Sequence, residues 1–183
     1  GKSSLLRLMA GLSSPASGRL LWDQEEIAED LQAHASRSHY VGHATATKPA
    51  LSASEDLAFW SAFRLSDDQD AQCAALARFG LTARAGFPVR FLSSGQRRRL
   101  ALARLIAVPA PLWLLDEPTV GLDFEGQYAL ESVIAEHRAK GGIVVIASHT
   151  PIDLGDTAFE KNPGDFSASG YDLDDEFSLG LGT

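Results

Sequence analysis

The sequence has only one cysteine and one methionine among its 183 residues. The lone cysteine, Cys73, excludes an internal disulfide and fits a reducing compartment. No apolar run approaches the roughly 18 residues that a membrane-spanning helix needs. The length is about that of one domain, and the hydrophobic fraction of 45% is ordinary for a globular protein. These features predict one globular core without disulfides.

Basic residues are also scarce, and they form only one run, Arg97–Arg99. We interpret this run as the solvated face of a helix, and we expect no nucleic-acid partner. The net charge is −8, and most of it lies beyond Pro151, where Lys161 is the only base. We therefore predict a loose, protease-sensitive tail over 151–183. Its acids are Asp153, Asp156, Glu160, Asp165, Asp172, Asp174, Asp175 and Glu176.

Two apolar segments, LWLLDEP and GGIVVIASH, read as buried strands that end in polar residues. Helical patterns alternate with such strands, which indicates an α/β fold with a parallel sheet covered on both faces. Residues 52–79 read as mainly helical, with a cap at Ser66, and a helix is expected from Ser93 or Ser94 to Pro109. Ligands of such sheets bind beyond the carboxyl ends of the strands, where Glu117 and His149 are expected.

The segment Gly1-Lys2-Ser3 precedes a helical pattern and matches the end of the phosphate-loop motif G-x-x-x-x-G-K-[ST]. In such loops backbone N–H groups and the lysine bind phosphates, and the serine holds magnesium. Gly1, Lys2, Ser3 and Ser4 are therefore predicted phosphate-binding residues, with Ser3 also a metal ligand. A tripeptide can also match by chance, so this signal is weak alone.

Asp116 and Glu117 follow four large apolar residues at the end of the LWLLDEP strand. We predict that Asp116 holds magnesium through water and that Glu117 polarises an attacking water. The alternative is an ordinary boundary between a strand and a turn, where acids and proline gather.

The segment LSSGQ, Leu92 to Gln96, places serine and glycine at a helix start, where backbone N–H groups favour an anion. An ordinary N-cap is the alternative, although a cap alone does not require the following Gly-Gln. LSSGQ and LLDEP, with 21 residues from Gly95 to Asp116, resemble the signature and Walker B motifs of ATP-binding cassette (ABC) ATPases. VGLD, ending at Asp123, resembles their D-loop, and His149 resembles their switch histidine.

The stretch YVGHATATKPALSASEDLAFW resembles the CcmA family, the ATP-binding subunits of the haem exporter of bacterial cytochrome c maturation. His43 stands where most cassettes have glutamine, and Asp56 replaces the asparagine that is typical of this family. The other matching positions are Lys48, Leu51, Ser52, Ala53, Glu55 and Leu57. A metal pair formed by His39 and His43 is an alternative that the resemblance disfavours.

The resemblance implies a P-loop NTPase fold of the ABC type over residues 1–150, with a helical signature subdomain at about 44–108. It implies ATP and Mg²⁺ as ligands, with Lys2 on phosphate and Ser3 and Asp116 at the metal. Glu117 would be the general base. His149 would contact the γ-phosphate, and His43, at the position of the usual glutamine, is a further implied catalytic residue. Ser93, Gly95 and Gln96 would close on the nucleotide of a second chain, and Asp123 of the D-loop is a further implied nucleotide-binding residue.

The same resemblance implies a head-to-tail homodimer at the cytoplasmic face of the bacterial inner membrane, with residues 44–64 docking integral membrane transporter subunits. An ATPase of another ABC exporter is the nearest alternative. A soluble ABC protein acting on ribosomes or DNA, and an interaction module that does not hydrolyse ATP, are alternatives of other classes.

The first residues raise a separate expectation, because only the last three positions of the phosphate-loop motif are present. We expect the preceding strand to be missing beside the Walker B strand, which would expose apolar surface. A chain with these 183 residues alone should therefore bind ATP very weakly, hydrolyse almost none and tend to aggregate.

Overall fold

The computed structural model describes residues 1–64 and 66–155. In chain order its elements are α1 (Lys2–Met9), β1 (Leu21–Trp22), β2 (Glu25–Glu26), α2 (Leu31–Arg37), β3 (Ser38–Val41), α3 (Ala53–Phe63), α4 (Gln69–Arg78), α5 (Ser94–Ala107), β4 (Leu112–Asp116), α6 (Phe124–Ala139) and β5 (Ile143–Ala147). Short 3₁₀ helices occupy Thr82–Arg84 and Val89–Phe91.

The main sheet is parallel and has the strand order β3-β4-β5. Leu114 at its centre pairs with Tyr40 of β3 and Val145 of β5. All five residues of β4 are buried, as the continuous apolar run predicts. The gap expected beside the Walker B strand is not there, since β4 has a neighbour on each edge. That part of the sequence interpretation was wrong because it placed the wrong strands next to β4.

Alternate residues of β4 belong to two separate cores, because side chains of a strand point to opposite faces. Leu112 and Leu114 pack with Leu6 of α1 on one face. Trp113 and Leu115 join the larger core on the other face, together with buried residues of α5 and α6 such as Leu130. The predicted sheet covered on both faces is therefore confirmed.

The helices α3, α4 and α5 pack on one another around buried residues such as Leu57, Leu76 and Leu100. Ser52 caps α3 in a capping box with Glu55. The cap of α4 is Asp68, which accepts a hydrogen bond from the Ala71 N–H, so the prediction of a cap at Ser66 was wrong. Serine and aspartate cap helices about equally well, so the cap is set by where α4 begins, and the residue before Gln69 is Asp68.

The interpretation of Arg97–Arg99 as a solvated helix face was also wrong. The residue Arg98 is only 4% exposed, and its guanidinium donates to main-chain carbonyls at the ends of two strands. Arg97 donates to the Leu92 carbonyl, and Arg99 forms an ion pair with Asp123. All three arginines therefore have partners within the chain.

Residues after Pro151 are described only as far as Gly155. Leu154 packs against the larger core, and Arg138 donates to its carbonyl. The rest of the predicted loose tail, 156–183, lies outside the described residues, so that prediction stays a prediction. In the part of the chain that is described, no helix is long and apolar enough to span a membrane.

A buried ion pair joins α3 to α5. Asp56 is fully buried and accepts a hydrogen bond from Arg104 at 2.9 Å, and its other oxygen accepts from the Lys48 N–H at 2.7 Å. Arg104 also donates to the Thr45 and Ala46 carbonyls. Burial lowers the pKa of Arg104, whereas the carboxylate of Asp56 raises it. The pair therefore fixes the segment between β3 and α3 against α5.

Removing the Asp56 carboxylate should destabilise the fold strongly, because Arg104 would be left buried without its counter-charge. We expect Asp56→Ala to lower the free energy of unfolding by about 3 to 5 kcal/mol. Asp56→Asn also removes the charge, but it keeps the shape of the side chain and one acceptor oxygen, so it should cost less, about 1 to 3 kcal/mol. Urea unfolding of both variants tests this ranking, and an alanine variant as stable as the asparagine variant would contradict it.

Candidate active site

The start of α1 meets the carboxyl end of β4. Ser3 Oγ donates to Asp116 Oδ1 at 2.9 Å. Lys2 Nζ donates to the Ser148 carbonyl at 3.0 Å and lies 3.4 Å from Nδ1 of His149. A lysine, a hydroxyl and a nearly buried carboxylate therefore converge at a helix N-terminus, where the helix dipole favours an anion.

Glu117 continues this site with an unusual backbone. Its φ is +49°, a left-handed conformation that costs a residue other than glycine on the order of 1 to 3 kcal/mol. Its N–H donates to the Ala147 carbonyl at 2.8 Å, which ties it to the end of β5. Its Oε2 accepts from the His149 N–H at 3.3 Å, and its Oε1 lies 3.6 Å from Nε2 of that histidine.

The guanidinium of Arg98 lies behind these acids. It donates to the carbonyls of Asp116 at 2.8 Å, Glu117 at 2.7 Å and Pro118 at 3.2 Å. A fourth bond reaches the Gly42 carbonyl at 2.7 Å, at the end of β3. Burial lowers the pKa of Arg98, and the carboxylates of Asp116 and Glu117 raise it.

Sequence reasoning missed Arg98, although a signal was present. The residue lies four positions before Leu102 and seven before Leu105, which are both buried in α5. Helical periodicity places residues at that spacing on one face. The same period could therefore have assigned Arg98 to the inner face of the helix.

Two predicted site residues have no side-chain partner here. His43 and Ser4 are exposed, and their side chains make no hydrogen bond to any of the described residues. His43 nevertheless follows Gly42, whose carbonyl Arg98 holds. The alternative metal pair of His39 and His43 finds no support, because His39 is buried and its Nε2 lies 2.7 Å from the Val108 carbonyl oxygen. Burial also lowers the pKa of His39 to about 4.

The LSSGQ segment forms the cap of α5. Ser93 Oγ accepts from the Gln96 N–H at 3.1 Å, and the Ser93 N–H donates to Gln96 Oε1 at 2.9 Å. This is a capping box, in which the glutamine has a local role. The argument that a cap would not need Gln96 was therefore wrong, and the ordinary-cap alternative accounts for part of the motif.

Gly95 and Asp123 connect this cap to the turn at Gly121, which precedes α6. A Cβ at Gly95 would lie 2.7 Å from the Gly121 carbonyl oxygen, so only glycine fits there. Asp123 caps α6 through the Gly126 N–H and pairs with Arg99. These contacts, led by the Arg99 hydrogen bond, lower the pKa of Asp123. Among the described residues, no hydrogen bond joins this cluster to Lys2 or Ser3.

The residues at the end of β4 suit a hard cation. Asp116 is 4% exposed, and the hydroxyl of Ser3 is the hydrogen-bond partner of its carboxylate among the described residues. Hydroxyl and carboxylate oxygens are ligands that Mg²⁺ prefers, and this ion usually takes only one or two protein carboxylates beside phosphate and water. The described residues contain no cluster of three His, Cys, Asp or Glu side chains able to hold a metal.

A lysine, a serine and two acids at the carboxyl edge of a parallel sheet are the arrangement expected of a nucleotide-binding cassette. Residues 1–120 match the family model described as ABC transporter. The solved dimeric ATP-binding cassette MJ0796, in a post-hydrolysis state with ADP and Pi, is similar in fold, with a TM-score of 0.73 and 23% identity over 82% of this chain and 70% of that one. The cbiO1 protein of Clostridium perfringens, part of the ABC transporter complex cbiONQ, gives a TM-score of 0.63 and 26% identity over 82% of this chain and 63% of that one.

Two curated relatives carry the description cytochrome c biogenesis ATP-binding export protein CcmA. The relative from Paramagnetospirillum magneticum is 53% identical over 84% of this chain and 72% of its own length. The relative from Rhodospirillum rubrum is 49% identical over 96% of this chain and 77% of its own length. The chain therefore belongs to the CcmA family of ABC transporter ATPases, as the sequence motifs predict.

The close approach at Gly95 yields a stability prediction. Gly95→Ala should force the Gly121 carbonyl to move and lower the free energy of unfolding by about 1 to 3 kcal/mol. Gly86→Ala is the matched control, because a Cβ there meets nothing within 4 Å. Thermal and urea unfolding measure the free energy of unfolding of the two variants. Equal values would contradict the prediction, because the Gly121 carbonyl would then move aside at no cost.

Proposed function

We propose that this chain binds and hydrolyses ATP for an exporter of cytochrome c biogenesis, with haem as the exported class of compound. The observation that carries the proposal is the convergence of Lys2, Ser3, Asp116, Glu117 and His149 at one edge of the sheet. The names of the curated relatives support the transport system. We also propose the cytoplasmic face of the inner membrane as its location.

Phosphate binding is the role proposed for the start of α1. Gly1, Lys2, Ser3 and Ser4 present the first turn of a helix, whose free N–H groups attract an anion. Lys2 adds a full positive charge beside His149. Lys2 bonds to the Ser148 carbonyl, and its ammonium group has further N–H donors that can reach phosphate oxygens.

Ser3 and Asp116 are the residues proposed to hold Mg²⁺. Their oxygens already lie 2.9 Å apart, so both face the same small volume. When bound, the ion supplies charge neutralisation for phosphoryl transfer. Asp116 is fixed in place by its position as the last residue of β4, so its carboxylate needs little reorganisation.

Glu117 is the proposed general base for the attacking water. Its carboxylate is largely buried, with 17% side-chain exposure, and it has two contacts to His149. His149 is 81% exposed and can turn toward a γ-phosphate while Glu117 stays in place. His43, on the segment after β3, is proposed as a further contact near the nucleotide.

A second copy of the chain is proposed to complete each site in a head-to-tail homodimer. Ser93, Gly95, Gln96 and Asp123 lie in one cluster that makes no hydrogen bond to Lys2 or Ser3 among the described residues. The dimeric state of the similar cassette MJ0796 supports a role for the cluster at the nucleotide of a partner chain. Phosphoryl transfer requires mainly positioning and charge stabilisation, which two chains together can supply.

The domain boundaries and the membrane partner are part of the same proposal. We propose the cassette over 1–150, the helical subdomain over about 44–108, and docking of integral membrane subunits on 44–64. Exposed aromatic side chains on α3 support this docking face, since Phe59 is 41% and Phe63 is 74% exposed. Large exposed apolar residues are typical of binding surfaces when they cluster.

Glu117→Gln tests the general base in the full-length protein. The change keeps the size and one acceptor oxygen for His149 but removes basicity. Turnover should fall about 10²- to 10⁴-fold, while ATP binding is retained. Glu125→Gln, at the exposed first turn of α6, is the matched control. Undiminished turnover of Glu117→Gln in a phosphate-release assay would remove Glu117 from the mechanism.

Mixing of variants tests the composite site. Lys2→Ala removes the phosphate lysine, and Ser94→Phe places bulk at the exposed first residue of α5. Heterodimers of these two variants hold one intact site, so mixing should restore activity that neither variant has alone. Ser94 is preferred to Gly95 because a side chain at Gly95 collides within its own chain.

The control mixes Lys2→Ala with Glu117→Gln. Lys2 and Glu117 belong to the same site within one chain, so neither site of that heterodimer is intact and no activity should return. The total rate of ATP hydrolysis by the wild-type protein should also rise faster than linearly with protein concentration in the dilute range. Strictly first-order activity, with no recovery on mixing, would contradict the homodimer proposal.

A further inference from the structure

Arg98 is a buried cation whose hydrogen-bond acceptors are main-chain carbonyls. Among the described residues its side chain forms no ion pair with a carboxylate. Four of the five N–H groups of the guanidinium donate instead to main-chain carbonyls. Burial of a charge without partners is costly, so this site must compensate it through those dipoles. These hydrogen bonds hold the main chain at Gly42 and at Asp116–Pro118, and they leave the side chains of those residues free for other contacts.

Three of the four acceptors are consecutive residues, Asp116, Glu117 and Pro118. The middle one, Glu117, has the left-handed backbone. Its N–H is held by the Ala147 carbonyl and its own carbonyl by Arg98. With both ends of the residue fixed, the direction of its Cα–Cβ bond is fixed too, and the carboxylate is aimed at His149.

The fourth acceptor extends the same control to the neighbouring strand. Gly42 precedes His43 at the end of β3, and its carbonyl accepts from Arg98 at 2.7 Å. One guanidinium therefore ties the ends of β3 and β4 together. Arg98 projects from the second turn of α5, two residues after Gln96 of the cap.

We propose that Arg98 is a positioning residue for the reaction, which acts through the main chain to hold the Glu117 carboxylate in its productive direction. The inference rests on the proposed function of Glu117 as general base. Arg98 does not contact the nucleotide in this scheme. Its loss should lower turnover without a matching loss of ATP affinity.

The test is a double-mutant cycle in the full-length protein, with single-turnover hydrolysis of labelled ATP to resolve slow rates. Arg98→Gln should lower the rate at least tenfold, with the KM for ATP changed less than threefold. Adding Arg98→Gln to Glu117→Gln should change the residual rate less than twofold, because no base is left to be positioned. Arg97→Gln, one residue away on α5, is the matched control and should retain turnover.

Arg98→Lys provides a second route if Arg98→Gln fails to fold. A lysine keeps the charge but offers three donors from one point, so it should recover only part of the rate and show the same coupling to Glu117→Gln. Losses that multiply in the double variant would overturn the inference, as would a loss of ATP affinity equal to the loss of rate. Undiminished turnover of Glu117→Gln itself would instead remove the proposed general-base role of Glu117, on which the inference rests.

Discussion

The pairing of β4 on both edges is the constraint on which the rest of the structure depends. Because β4 is the central strand, its end at Asp116 lies beside the ends of β3 and β5. Polar segments that are distant in the chain are thereby brought to one edge of the sheet. Lys2 reaches Ser148 across 146 positions, and Arg98 reaches Gly42 across 56. These contacts exist only because the strands are in register.

Hydrophobic patterning predicted β4 and β5 well, because continuous apolar runs of this length have few alternatives to a buried parallel strand. The position of Asp116 and Glu117 at the end of β4 was predictable on the same ground, because the apolar run stops there. Strand order was not predictable in this way. Local patterns do not specify which strand lies next to which, and the expected gap beside β4 was wrong for that reason.

Arginine positions show a second limit of reading a sequence. A run of three arginines suggests a solvated surface, yet Arg98 is buried because main-chain carbonyls at two strand ends supply acceptors that no sequence pattern reveals. Arg104 is similar, since its partner Asp56 lies 48 positions away. Conversely, the cap formed by Ser93 and Gln96 is local, and its signature S-x-x-Q was readable in the sequence.

The acceptors of Arg98 have a consequence for how this region can change over evolution. Every residue supplies a main-chain carbonyl, whatever its side chain, so substitutions at Gly42 or Pro118 need not remove a hydrogen bond to Arg98. No other side chain can replace the guanidinium, because lysine cannot reach four separated acceptors with one ammonium group. Sequence variation should therefore be asymmetric, with the donor restricted to a single residue type and its acceptors constrained only by backbone shape.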